Sequence, residues 1–148
     1  MAHTGVSLAV PITFYAGGTL TTGDGKDGLT MPFDAIIWHV KASVGINGTS
    51  SDETDFVIER TPNGGSAADL WTVAADIGRI AHDSDELYLE WDWENDGWAG
   101  YASGQTYPPT GCRLKKEDLL ELNIDAIPGG SDSADLTVTL WVVPVAAA

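Results

Sequence analysis

The densest set of side chains suited to specific binding lies between residues 91 and 107, where five aromatic rings occur: Trp91, Trp93, Trp98, Tyr101 and Tyr107. Flat aromatic faces beside carboxylates suit stacking on sugar rings. The same residue types anchor many protein interfaces. Trp91 and Trp93 also alternate as core residues of a strand do. Core packing, a protein interface and a carbohydrate site that uses Trp93, Trp98 and Tyr101 therefore remain open.

Two acidic segments offer carboxylates to a hard cation such as calcium. They are Asp24-Gly25-Lys26-Asp27-Gly28 and Asn95-Asp96-Gly97. Neither has the twelve-residue spacing of an EF-hand, and Asp-Gly pairs are typical of ordinary turns. We therefore predict no metal site and no cofactor.

The histidines and the single cysteine form no catalytic or zinc pattern. His3, His39 and His82 are far apart, and His39 is expected to be solvated on the polar face of a strand. Cys112 is followed by cations that favour a thiolate, but no signature links it to a base. The chain has neither a Gly-x-Ser-x-Gly elbow nor a phosphate loop. The sequence predicts a protein that is not an enzyme.

The composition of the chain excludes several classes of binding partner. The 148 residues favour one domain, 1–148, and 22 Asp and Glu against 7 Lys and Arg give a net charge of −15. Such a chain repels phosphates, so we expect no nucleic-acid partner. No stretch approaches the ~20 apolar residues of a membrane span, and no signal peptide is evident. One Cys excludes an internal disulfide, and Asn47-Gly48-Thr49 is interpreted as a turn.

The last third of the chain sets the fold class. Residues alternate between apolar and polar over Leu119–Ile127 and again over Ala134–Val143, with turn formers between them. A period of two predicts strands, and the arrangement predicts a long antiparallel hairpin after a turn at Lys116-Glu117-Asp118. The predicted core faces are Ile36/Trp38/Val40, Leu87/Leu89/Trp91, Leu120/Leu122/Ile124 and Leu136/Val138/Leu140.

Shorter strands and loops fill the rest of the chain. Pro11 marks its strand as an edge or bulged strand, because proline cannot donate to a ladder. The predicted strands are Val6–Tyr15, Ile36–Ser43, Asp55–Thr61, Ala68–Val73 and Leu87–Trp93, with a turn at Pro62-Asn63-Gly64-Gly65. The predicted breaks and loops are Ala16-Gly17-Gly18, Thr21–Gly28, Gly45–Glu53 and Glu94–Pro109. About seven to eight evenly spaced strands predict an all-β, single-domain antiparallel β-sandwich of jelly-roll type.

The order of these segments resembles a known family. It is carried by Leu29–Ile37, Phe56–Gly65, Glu117–Leu122 and Ala134–Leu140. Over roughly residues 29–143 the chain is similar to the jelly-roll decoration, or cement, proteins of tailed bacteriophage capsids. The aromatic loop from Asp92 to Thr110 is longer than that pattern has, which marks it as a lineage-specific contact surface or as a departure from the family.

The resemblance implies a non-enzymatic virion structural protein, made in the host cytoplasm and bound to the capsid surface. Its partners would be the major capsid protein and its own copies in a homotrimer, with no nucleic acid and no membrane. Interface candidates are Trp98, Tyr101, Tyr107, His3 and Val6. Residues 1–7 would form a flexible N-terminal arm that orders on the shell or on a neighbouring protomer. The alternative is a carbohydrate-binding module or a phage fibre receptor-binding head that uses the aromatic loop 91–107.

Overall fold

The structure, a computed structural model, describes residues 9–46, 54–70, 75–77, 86–92, 97–100, 113–127 and 133–146. Within these ranges every regular element is a β-strand. The strands are β1 (Val10–Thr19), β2 (Gly23–Thr30), β3 (Ala35–Ile46), β4 (Thr54–Thr61), β5 (Ala68–Asp69), β6 (Ala75–Ile77), β7 (Glu86–Asp92), β8 (Gly97–Gly100), β9 (Arg113–Leu114), β10 (Leu119–Ala126) and β11 (Ala134–Pro144). These ranges contain no helix long and apolar enough to cross a membrane.

The strands form two antiparallel sheets. Sheet A has the order β1-β11-β3-β7-β8, with β9 also paired to β3. Sheet B has the order β2-β10-β4-β5, with β6 also paired to β4. The prediction of an all-β antiparallel β-sandwich is confirmed, while the jelly-roll type stays a prediction.

The core lies between the two sheets. Alternate residues of β11 are fully buried, as are alternate residues of β10, so each strand presents one apolar face to the other sheet. The predicted faces Leu120/Leu122/Ile124 and Leu136/Val138/Leu140 are confirmed. The largest buried rings, Phe14 of sheet A and Phe56 of sheet B, belong to the same cluster.

The predicted hairpin of the last third is wrong, although both of its strands exist. β10 lies in sheet B between β2 and β4, whereas β11 lies in sheet A between β1 and β3. The segment after Ala126 therefore crosses from one sheet to the other. Alternation shows that one face of a strand is buried, but it does not show which strand lies beside it.

Three predicted breaks or loops contain strands. β1 runs through Ala16-Gly17-Gly18 to Thr19, with a register shift against β11. The segment predicted as a loop at 21–28 holds most of β2, which pairs with β10. The predicted loop 94–109 contains β8, which pairs with β7. The glycines and aspartates of these three segments are typical of turns, which is why the sequence predicts loops there. Backbone pairing at a sheet edge, however, does not require apolar side chains.

The predicted inner face of β3 is wrong at Ile36. The buried residues are Ala35 and Ile37, then Val40, Ala42 and Val44, so the phase changes between Ile37 and Val40. On β11, Trp141 pairs with His39 while Val142 pairs with Ile37, which leaves Trp38 as the extra residue of a β-bulge. Ile36 consequently lies on the other face and is half-buried.

Other local predictions are confirmed. Pro11 lies in β1, which is an edge strand of sheet A among the described strands. The turn after β4 closes with a 2.8 Å hydrogen bond from Gly65 N to the Pro62 carbonyl, and β5 then pairs back on β4. The turn at 116–118 precedes β10 as predicted.

Candidate interaction surfaces

Most of the predicted interface residues lie outside the described residues. This holds for His3, Val6, Tyr101 and Tyr107, as it does for His82 and Cys112. Trp98 lies in β8, where the register pairs it with Trp91 of β7. The binding capacity of the aromatic loop therefore stays a prediction.

The outer side of sheet B carries an acidic face, which sequence analysis did not find. Successive outward positions of β10 and β4 bring acids next to one another, with Glu121 directly opposite Glu59 and Glu59 opposite Asp69. Charge interactions link these acids to others on β2, β4 and β10. We call this set the acidic face: Asp24, Asp55, Glu59, Asp69, Glu121 and Asp125.

Mutual repulsion and partial desolvation shape the chemistry of this face. Burial, followed by the charges of Asp69, Asp24 and Glu121, raises the pKa of Glu59. Burial and then neighbouring carboxylates likewise raise the pKa of Asp69 and of Asp125. The charged forms of these acids are therefore less favourable in the folded protein than in water. A cation brought to this face would relieve that cost.

A buried amide organises the centre of the acidic face. Asn123 is 4% exposed although it points to the outer side of β10. Its Oδ1 accepts a 2.8 Å hydrogen bond from Gly25 N, and its side chain also hydrogen-bonds the Glu59 carboxylate. Gly25 has φ +62, a left-handed backbone conformation that favours glycine. The network fixes where β2 crosses the acids of β10 and β4.

The outer side of sheet A has a different character along β1, β11 and β3. Asp135 is the only carboxylate in those three strands, and its Oδ1 accepts hydrogen bonds from Tyr15 Oη (3.0 Å) and Gly18 N (2.7 Å). The hydrogen bond and charge of Asp135 raise the pKa of Tyr15. Threonines, aromatic rings, Lys41 and Ser43 also lie on this side, with Thr13 Oγ1 3.1 Å from Thr139 Oγ1. This surface is polar but nearly free of negative charge.

His39 lies on this side of sheet A and is half-buried rather than solvated. Its ring packs on Trp141, with centroids 4.9 Å apart and planes tilted by 55°. The sequence placed His39 correctly on the polar side of β3 but could not show its neighbour, because Trp141 is brought beside it by the pairing of β3 with β11.

The edge of β1 that faces away from β11 is blocked at two positions, by a hydrogen bond to β2 and by a proline. Tyr15 N donates a 2.9 Å hydrogen bond to Asp27 Oδ2 of β2, while Pro11 has no N–H to offer. Because N–H directions alternate along a strand, these two positions and Thr13 face the same edge. Asp27 Oδ1 also accepts from Gly28 N at 2.8 Å. The carboxylate considered for calcium is thus used to cap an edge strand.

A rigid basic turn joins β9 to β10 at one end of the sandwich. Asp118 is 1% exposed, and its Oδ2 accepts 2.7 Å hydrogen bonds from Arg60 Nε and from Lys115 N. Asp34 Oδ1 accepts from Lys116 N at 2.8 Å, and Glu117, at φ 73, donates its N–H to the Met31 carbonyl. The backbone of the turn is held at every residue.

The cations of this turn remain exposed. We define the basic turn as Arg113, Lys115 and Lys116, three of the seven Lys and Arg residues of the chain. The nearby acids are engaged elsewhere, since Glu117 Oε2 accepts from Asn63 Nδ2 at 2.9 Å and Asp34 and Asp118 bind backbone N–H groups. Across the described ranges, no carboxylate is paired with the ammonium group of Lys115 or Lys116.

The described residues offer surfaces rather than a metal centre. Within them, no group of three or more His, Cys, Asp or Glu side chains is placed to hold a metal ion. The six acids of the acidic face are spread over four strands, β2, β10, β4 and β5. Their arrangement suits a broad electrostatic contact, or contact with solvent, better than chelation.

Known proteins similar to this chain do not indicate what these surfaces bind. No protein-family model matches the sequence, and no curated protein is significantly similar to it. Among solved structures, the chain is similar to a chain of the cyanophage Pam1 capsid asymmetric unit, with 14% identity, a TM-score of 0.39, and coverage of 95% of this chain and 90% of that chain. A similarity this low carries no argument about function.

Proposed function

We propose that this protein is a non-enzymatic virion structural protein that binds the outside of a phage capsid as a decoration, or cement, protein. In this role it bridges neighbouring major capsid subunits and acts as a homo-oligomer, a trimer. The proposal starts from the order of strands and turns over residues 29–143, which resembles that family.

The observation that carries the proposal is the unequal charge of sheet B and of three strands of sheet A, β1, β11 and β3. Sheet B presents the acidic face, whereas β1, β11 and β3 of sheet A present a surface whose one carboxylate, Asp135, is already hydrogen-bonded. A protein adsorbed on a shell needs one side that tolerates contact and another that stays in water. Burying uncompensated carboxylates is costly, so β1, β11 and β3 form the contact side and sheet B the solvent side.

The same polarity suits a particle coat. An outward acidic face on every copy makes decorated particles repel each other, which keeps them dispersed. Many modest contacts, repeated over a closed lattice, add their free energies to the stability of the shell. Neither effect requires a reaction centre in the decorating protein.

Co-sedimentation tests this proposal. Shells assembled from the major capsid protein encoded with this chain are incubated with the purified protein, pelleted and analysed for bound stoichiometry. We expect saturable binding and a higher temperature of shell disruption. Trp141→Ala, on the contact side, should weaken binding, whereas Ser66→Ala, at an exposed position between β4 and β5 of sheet B, serves as the control and should not. No binding by the wild-type protein contradicts the proposal.

A further inference from the structure

The basic turn is a cationic contact site in a chain of net charge −15. Its backbone is fixed by hydrogen bonds to Asp118, Asp34 and Met31, so little backbone entropy is lost when it binds. Lys115 and Lys116 are exposed, and the acids beside them are already hydrogen-bonded to other groups. Such a site fits a partner surface that carries several carboxylates.

The chain itself provides that partner surface. The acidic face gathers six carboxylates on one side of sheet B, where register places Glu121 opposite Glu59 and Glu59 opposite Asp69. Asp69 and Asp125 are exposed there and accessible to another molecule. Two copies that approach with like faces repel, whereas a basic turn that approaches an acidic face is attracted.

We propose that the basic turn of one copy docks on part of the acidic face of a second copy of this chain, at the exposed Asp69 and Asp125, and leaves the rest of that face toward solvent. The contact is heterologous, because the two copies use different surfaces. It therefore leaves one basic turn and one acidic face free in a dimer, and repetition gives a closed ring or an open chain according to the rotation between copies. It supplies a contact for the proposed homotrimer and in that respect rests on the proposed function, but its test requires no capsid.

Sedimentation velocity at two salt concentrations tests the contact. At about 0.1 M salt, where screening over about 10 Å damps the repulsion between two copies of net charge −15 but not the attraction of neighbouring charges, we expect the wild-type protein to sediment as oligomers. At about 1 M salt, where screening acts over about 3 Å, we expect the 15.6 kDa monomer. Wild-type protein that is monomeric at low salt overturns the inference, as does an oligomer that persists unchanged at high salt.

Two charge-reversal variants identify the surfaces. Lys115→Glu/Lys116→Glu reverses two of the three charges of the basic turn. Asp69→Lys/Asp125→Lys reverses two of the six charges of the acidic face. All four residues are exposed. Each variant alone should associate at least roughly tenfold more weakly than wild type. Mixed together, they retain one matching pair of surfaces, so we expect a 1:1 dimer at low salt.

The mixture also guards against a folding defect, since misfolded variants would not restore a defined dimer. Two monomeric variants whose mixture stays monomeric overturn the inference. Wild-type protein that binds shells but never self-associates also overturns it, while leaving the proposed function intact. In that case, loss of shell binding by Lys115→Glu/Lys116→Glu would assign the basic turn to the capsid protein. Self-association without shell binding contradicts the proposed function alone.

Discussion

Truncating Asp118 should destabilise the protein more than truncating any exposed acid. Asp118 is 1% exposed, and a single oxygen, Oδ2, accepts 2.7 Å hydrogen bonds from Arg60 Nε and Lys115 N. Asp118→Ala removes both acceptor interactions at once. It leaves a guanidinium whose side chain is only 20% exposed without its carboxylate, and it frees the backbone of the basic turn.

The magnitude follows from these two lost bonds. A hydrogen bond to a charged group contributes about 1.5–3 kcal/mol, and an unpaired buried N–H costs about 1–3 kcal/mol. Water reaches Lys115, which lies on the surface, so the second cost is small. We expect a loss of about 3 kcal/mol, at the low end of the range for breaking a buried ion pair. For a chain of 148 residues this lowers Tm by about 6–12 °C.

Urea denaturation followed by intrinsic fluorescence measures the loss. Asp118→Asn is the matched variant, because its amide oxygen still accepts one hydrogen bond while the charge is gone; it should lose about half as much. Asp125→Asn, on the exposed end of β10, should lose almost nothing. If Asp118→Ala costs less than about 1 kcal/mol, Asp118 does not hold the turn, and the conclusion that the basic turn is rigid is wrong.

Three further predictions concern the acidic face, the guarded edge and the core. Because the pKa of Glu59 is raised on folding, its contribution to stability falls as pH rises from the ordinary carboxyl range near 4. Water screens the repulsion at this half-exposed residue, so Glu59→Gln should be more stable than wild type by only ~0.2–0.5 kcal/mol at pH 7. A gain that persists at pH 3 in thermal melts would contradict this. Asp27→Ala frees the Tyr15 N–H at the β1 edge and should increase light scattering on heating, whereas Asp27→Asn keeps an acceptor and should not; equal scattering by both would show that the edge is not guarded in this way. Leu122→Ala, in the core, should lower the free energy of unfolding by about 2–5 kcal/mol in urea denaturation. The exposed Leu29→Ala should lower it by under about 1 kcal/mol, and similar losses for both variants would contradict the two-sheet core.

The sequence predicted the layers of this fold better than their connections. Alternation along 136–142 gave the buried face of β11 correctly, because the period of a strand is set by its own geometry. The pairing of β10 with β2 and β4 depends on how distant segments meet, and no local pattern records that. The bulge at Trp38 is likewise invisible in the local sequence pattern. Its one extra residue moves the preceding residues of β3 to the opposite face of the sheet.

The candidate surfaces were less predictable than the core. The acids of the acidic face are scattered from Asp24 to Asp125 and become neighbours only through strand register. The burial of Asp118 has no signal in a Lys-Lys-Glu-Asp turn, because its partner Arg60 is 58 residues away. The aromatic segment, the strongest sequence signal for binding, falls mostly outside the described residues, so its role stays a prediction.

Electron cryomicroscopy of decorated shells tests the central claim most directly. Shells of the cognate major capsid protein, saturated with this protein, should show added density over capsid subunit junctions. The fitted sandwich should turn β1, β11 and β3 toward the shell and the acidic face toward solvent. Bare shells at saturating protein, or a sandwich bound through the acidic face, would contradict the account.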